Sequence, residues 1–167
     1  MFSLKPLSLE AVPGALAKAE RYRLLGEPWQ AESICRDILA IDPPNRDARV
    51  MLILAITDQF EKGVAAHEAQ EAIAQLQEEY DRVYYTGIVH ERRALALFRQ
   101  TDFRSGDTVY ILLRHAMESY EKAEAIRPPG NDDSRLRWNA CVRFLERYRH
   151  LKPVERHQHH MEPVLSD

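Results

Sequence analysis

One pattern of residues occurs twice in this chain and limits what the chain can fold into. Ala31-x3-Cys35-x2-Ile38-x4-Pro43-Pro44 returns as Ala116-x3-Tyr120-x2-Ala123-x4-Pro128-Pro129, every matched pair offset by 85 residues. Steps of three and four residues place the small residue and the packing residues on one helix face. The proline pair closes that helix, because proline has no amide proton and clashes with the preceding turn. The offset is two and a half times about 34 residues, a period typical of helix-turn-helix repeats. Such chains stack hairpins and present surfaces, so the pattern suggests a binding scaffold without naming its partner.

The rest of the sequence agrees with an all-α fold. Apolar residues recur at helical spacing nearly throughout, and no stretch alternates long enough to make a convincing strand. Gly26, Gly63, Gly106 and Gly130 separate periodic segments, Gly14 sits at the start of one, and only Gly87 falls inside a predicted helix. Seven helices are expected, at 13–25, from Pro28 to just before Pro43, and at 46–61, 64–80, 82–99, 108–127 and 134–148. Pro28 suits a first helical turn. Asp107, and Asp133 or Ser134, are candidate caps for the last two helices. Short connections force antiparallel neighbours, and the 85-residue echo favours a stacked solenoid over a closed bundle.

Length and charge narrow the classes. At 167 residues the chain fits one domain with a sizeable core. That domain is read as 12–150, with an N-terminal arm at 1–11 and a polar, His-containing tail at 151–167. A net charge of −3 is too small to imply nucleic acid or an acidic membrane surface as the main partner. The longest unbroken apolar run, 50–56, has seven residues, where a membrane span needs about 20. No basic segment followed by an apolar core opens the sequence, so no secretory signal is read and a cytoplasmic location is expected. Cys35 and Cys141 lie in apolar helical patterns, as buried free thiols of a reducing compartment would. A disulfide is the alternative, and it needs an oxidising compartment.

Residues 12–45 resemble the tetratricopeptide repeat. Ala19 and Tyr22 fall where its first helix carries a small residue and then an aromatic, Gly26 at the turn, and Ala31, Cys35, Ile38 and Pro43 along the second helix and its exit. Ala116, Tyr120, Ala123 and Pro128 match the same second-helix positions in a third unit. Between them lies a degenerate unit with Gly63, Ala69, Ile73 and Leu76 but no closing proline. Ala31 to Ala69 spans 38 residues and Ala69 to Ala116 spans 47, so the surplus over about 34 is uneven. The larger surplus should lengthen both helices of the third hairpin and the loop at 100–107. A seventh helix with Trp138, Cys141, Val142 and Leu145 looks like a capping helix. The resemblance covers 12–148 and implies a right-handed α-α superhelix of about three hairpins plus that cap.

In that family the first helices line a concave groove that binds peptides or helices of partner proteins. Position by position, this implies Leu16, Glu20, Arg23 and Leu24 in the first unit, and Val50, Leu54, Thr57 and Asp58 in the second. Tyr84, Ile88, Glu91 and Arg92 are the corresponding estimate for the third. The groove is mixed in charge and lacks a Lys/Asn cluster for a terminal carboxylate, and its charges could equally be solvated surface. Phe103 in the polar loop is either an anchor onto the neighbouring hairpin or a partner contact. Arg135, Arg137, Arg143, Arg147 and Arg149 make the seventh helix basic, which reads first as a solvated capping face and second as a site for an acidic partner.

Chemistry is sparse in the sequence. His90-Glu91-Arg92-Arg93-Ala94 begins like a zinc-protease motif, but Ala94 stands where the second histidine ligand belongs. There is no Glu-x-x-His, no phosphate-binding glycine loop and no Cys-x-x-Cys. His157, His159 and His160 are too loosely arranged for a metal site, so no metal and no cofactor are expected. The expected function is a non-enzymatic adaptor for another protein. A small chaperone that holds a secretion or assembly client and a self-assembling repeat protein, a homodimer included, are the alternatives. Neither nucleic acid nor membrane is expected as partner.

Overall fold

The computed structural model describes residues 2–100 and 106–151. Among them the chain is all-helical, with seven α-helices and no strand: α1 Val12–Leu24, α2 Pro28–Ile41, α3 Arg46–Thr57, α4 Ala66–Ala74, α5 Glu79–Gln100, α6 Gly106–Ala125 and α7 Asp133–Arg147. Successive helices pack on one another all along the chain, and α1 also touches α3 while α3 touches α5. No helix of the described residues is long and apolar enough to cross a membrane.

Local chemistry sets most boundaries. Pro28 opens α2, where its missing amide proton costs nothing. Asn45 caps α3, its side-chain oxygen accepting from the Ala48 amide at 2.9 Å. Gly26, Gly63 and Gly130 take positive φ in the three turns after α1, α3 and α6. The expected caps at Asp107, Asp133 and Ser134 take other places. Asp107 lies inside the first turn of α6, and the Asp133 amide donates to the Asn131 side chain at 2.9 Å, so Asn131 serves there. Ser134 is buried against the interior.

The fourth and fifth helices depart most from expectation. α4 ends at Ala74, and Tyr80 belongs to α5. No glycine or proline marks this turn. Its carbonyls are met from the next helix, as Arg82 donates to the Leu76 and Gln77 oxygens at 2.7 and 2.6 Å. Asp81 then ties the turn to α3 through two bonds from Arg46, at 2.5 and 2.8 Å. The third helix also ends early, at Thr57, and a short 3-10 turn follows over Phe60–Lys62.

The repeated residues form the core. Ala31, Cys35, Ile38, Ala116, Tyr120 and Ala123 are all fully or almost fully buried. One apolar cluster joins α1 to α4 and reaches α5 through Val89 and Ala96. Another joins α5, α6 and α7 around Ile88, Leu113, Tyr120 and Cys141. Both cysteines are free and buried. Leu151 is buried, and its side chain lies 3.5 Å from where a Cβ on Gly106 would stand. Likewise the arm is not wholly separate, since Leu7 packs beside Val12 and Ile38.

The third hairpin is the long one. α5 has 22 residues and α6 has 20, against 13 and 14 for α1 and α2. Inside it the Tyr120 ring of α6 packs directly over Gly87 of α5. A Cβ there would stand 2.5 Å from Cε1 and 2.8 Å from Cδ1 of Tyr120. Glycine is needed at this point for space.

Candidate functional site

The odd-numbered helices share one polar face. α1 supplies Arg23 and the end of α3 supplies Asp58. From α5 come Glu91 and Arg92, and from α7 Arg137. Arg23 Nε donates to Asp58 Oδ2 at 2.7 Å, and Arg92 Nη1 donates to Asp58 Oδ1 at 2.8 Å. One carboxylate therefore bridges guanidinium groups from the helices on either side of it. All three side chains are partly buried, where such pairs are worth more than on an open surface.

A second carboxylate anchors the face from below. Glu91 is buried. Its Oε2 accepts from the Tyr120 hydroxyl at 2.5 Å and its Oε1 from Arg137 Nη1 at 3.2 Å. Burial, then the nearby Glu91 charge, pushes the Tyr120 hydroxyl far above the ordinary phenol range, so it stays protonated and donates. Burial raises the Cys141 thiol to about 12, with Glu91 adding to the effect. Burial also raises the Tyr84 hydroxyl, while Arg137 beside it pulls the other way.

Between α3, α5 and α7 these residues enclose an open cavity of ≈ 360 Å³. Thr57, Asp58, Glu61, Glu91, Arg92, Leu95, Ala96, Arg99 and Arg137 line it. Arg99 donates to Glu61 across its far end, and the Gln100 side chain donates to the Glu61 carbonyl at 2.5 Å. The lining thus holds three arginines and three carboxylates, with Leu95 and Ala96 as its apolar floor.

Four of the twelve residues expected in a groove, Thr57, Asp58, Glu91 and Arg92, converge on this cavity, and Arg23 reaches its edge through Asp58. Others serve the interior. Ile88 is 1% exposed, so it is core and offers nothing to a partner. Thr57, although it lines the cavity, is buried and donates to the Leu54 carbonyl at 2.8 Å. Val50 and Leu54 are half-buried against the two apolar clusters, Leu16 against the N-terminal one, and Tyr84 among Tyr80, Tyr85 and Tyr120. Glu20 is exposed, and Leu24, at 83% exposure, stands in solvent at the α1–α2 turn. Phe103 and the three tail histidines lie outside the described residues.

Sequence reasoning missed Glu61, Arg99 and Arg137 as members of the site. Arg99 lies seven residues after Arg92, two helical turns along the same face of α5, a spacing that was readable. Nothing in the sequence showed that Arg137 points back to α5 and not to solvent.

Another open cavity, of ≈ 380 Å³, lies on the other side, between α2 and α4. Arg36 spans its rim from Glu32 to Glu68, and Arg49 closes one end by donating to Gln75 and the Pro43 carbonyl, both at 2.6 Å. Among the described residues no group of three or more His, Cys, Asp or Glu could hold a metal ion. No protein-family model matches the chain, and neither a curated protein nor a solved structure matches it.

Proposed function

We propose that this chain is a non-enzymatic protein-interaction module of the tetratricopeptide-repeat type. In this reading three hairpins, α1–α2, α3–α4 and α5–α6, stack as a right-handed superhelix with α7 as its cap. The first helices and the cap form the binding face, and a partner's peptide or helix lies along it. The observation that carries the reading is the Arg23–Asp58–Arg92 bridge, which joins α1, α3 and α5 on one polar face beside an open cavity. Fold resemblance alone does not fix function, so the site has to carry the argument. The test is to capture a partner with the immobilised chain, then repeat the capture with Arg23→Ala combined with Asp58→Ala. Loss of binding by a variant that still melts cooperatively supports the reading. Retained binding by that folded variant refutes it.

A second reading, self-assembly, is favoured by the exposed apolar side chains Leu24, Leu25 and Trp29 at one end of the chain and Leu136 on α7. Light scattering across a concentration series decides it. A mass that stays near the 19.4 kDa of one chain removes it.

A further inference from the structure

Of the nine large apolar side chains exposed among the described residues, six belong to the stretch that ends at Trp29. They form two groups at opposite ends of α1. Phe2, Leu4 and Leu9 precede the helix, and Leu24, Leu25 and Trp29 surround the turn into α2. Phe2 and Leu4 are more than nine-tenths exposed, although Leu7 is tucked beside Val12 and Ile38. The arm is thus held at its root and offers its apolar tip to solvent. Six large apolar side chains gathered at the two ends of one short helix are more than scattered surface residues need.

The solvent face of α1 joins the two groups. α1 packs on α2 and, less extensively, on α3, and its buried Val12 and Ala19 mark that side. On the opposite side Glu10, Gly14, Ala17, Arg21 and Leu24 recur in steps of four, three, four and three residues, so they share one face, and all five are exposed. Glu10 stands in the 3-10 turn Leu9–Ala11 that runs directly into the helix. The middle of the strip is low, because a Cβ on Gly14 would meet nothing within 4 Å and Ala17 carries only a methyl. An acid closes the strip at one end and a base at the other, about 16.5 Å apart along the axis.

We propose that two copies of this chain pair antiparallel along α1, about a two-fold axis level with the bond between Ala15 and Leu16. The inference rests on the self-assembly reading above and specifies its interface. In this arrangement Glu10 stands level with Arg21 of the second copy, and Arg21 with its Glu10, so one pair of opposite charges forms twice. Gly14 faces Ala17 of the second copy, which lets the helices approach closely. Leu24 stands level with Leu7 of the second copy, so Leu25 and Trp29 lie where the exposed Phe2 and Leu4 of that copy emerge. A parallel pairing would set Glu10 against Glu10 and Arg21 against Arg21. The helix strip alone, about 22 Å by 10 Å, falls short of the roughly 800 Å² per partner of a stable interface. Phe2 and Trp29, at about 150–250 Å² for a buried aromatic, and the leucines beside them bring it near that size. Arg23 points to Asp58 on the other side of α1, so the polar face stays open in the dimer.

Sedimentation velocity of the full chain across a concentration series tests this. The mass should rise with concentration from 19.4 kDa toward twice that value. Glu10→Lys or Arg21→Glu sets like charges together in both halves of the interface and should weaken the dimer about tenfold. Both changes in one chain exchange the charges and should restore it. Leu24→Ser should weaken it too, and Leu136→Ser, on α7, should not. All the changed side chains are exposed, and circular dichroism melts verify that the variants fold. A dimer unaffected by either single charge change, or not restored by the double change, overturns the inference. So does a dimer that depends on Leu136, a result that leaves self-assembly itself standing. A mass fixed near 19.4 kDa at every concentration removes both.

Discussion

Gly87→Ala is the most direct trial of the packing that shapes this site. In a solvent-facing helix the substitution stabilises by about 0.5–1 kcal/mol, because alanine loses less backbone freedom on folding. Here the new methyl would stand 2.5 Å from Tyr120 Cε1, 2.8 Å from Cδ1 and 3.1 Å from Cζ. The ring has nowhere inexpensive to go. Tyr120 is buried, and its hydroxyl is held by Glu91 at 2.5 Å, which in turn is held by Arg137. Overpacking of a filled core costs about 1–3 kcal/mol. Displacing the ring also weakens a hydrogen bond to a buried charge, worth about 1.5–3 kcal/mol. Against the helix gain, the net expectation is a loss of about 2–4 kcal/mol. For a chain of this size that lowers Tm by roughly 5–15 °C.

The measurement is urea denaturation followed by circular dichroism, with Gly14→Ala as the control. Gly14 also lies in a helix, α1, and a Cβ there meets nothing within 4 Å. Gly14→Ala should be neutral or stabilising. Tyr120→Leu, which removes the obstructing edge of the ring, should make Gly87→Ala less harmful, giving a coupling energy in a double-mutant cycle. A Gly87→Ala protein as stable as wild type would refute the close approach of α5 and α6.

Three further expectations can be checked on the same protein. Asp58→Ala leaves Arg23 and Arg92 without their shared acceptor. It should destabilise by about 1–2 kcal/mol in urea titrations, more than Arg23→Ala does, because it breaks two bonds where the arginine change breaks one. Burial raises the Cys35 and Cys141 thiols to about 12, so both should resist a thiol reagent at pH 8 and react fully only in denaturant. His90 is held below its ordinary value by burial, then by His115 and Arg93, with Glu118 opposing. The unfolded chain then binds this proton more tightly than the folded one, so stability present above about pH 6.5 is lost as pH falls below it. His90→Gln should flatten that part of a stability–pH curve, and an NMR titration in which His90 keeps an ordinary pKa would contradict the cause.

Helix count and most of the core were readable because they rest on local signals. The Ala31/Cys35/Ile38 and Ala116/Tyr120/Ala123 faces are buried as their spacing required, and Pro28 and the three positive-φ glycines sit at helix ends. The turn between α4 and α5 was not readable. It has no breaker residue and is fixed by Arg82 and by the Arg46–Asp81 pair, which is 35 residues apart in sequence. The site was legible in part for the same reason. Asp58 and Arg92 lie on the expected helices, but their pairing is tertiary. Ile88 was expected in the groove, and it is buried in the cluster with α6 and α7. α5 packs on α6 more extensively than on any other helix, and Ile88 belongs to that contact. Gly87 beside it leaves the space that the Tyr120 ring fills.

The position of the cavity relative to the two apolar clusters bears on how a ligand would act. α5 divides its interior residues between them: Val89 and Ala96 belong with the first two hairpins, Ile88 and Ala94 with α6 and α7. α3 and α5 contact one another less extensively than α5 and α6 do, and Arg46–Asp81, Asp58–Arg92 and Glu61–Arg99 are polar ties across that seam. Ion pairs at partly exposed positions add little stability, whereas buried apolar contacts within each cluster add much. The joint therefore rests on the apolar contacts of Val89 and Ala96, and of α4 with α5, more than on its ion pairs. A ligand held in the cavity would lie along this seam and touch Thr57, Asp58 and Glu61 on one side and Arg92, Leu95 and Arg99 on the other. Its binding energy would stiffen the joint in proportion to how much more tightly it fits the closed arrangement than a splayed one. Amide exchange of the α3 and α5 backbones in the wild-type protein and in Asp58→Ala would read how much of the joint the ion pairs hold: faster exchange confined to the residues around Asp58 and Arg92 is expected, and faster exchange along the whole of both helices would contradict the apolar share.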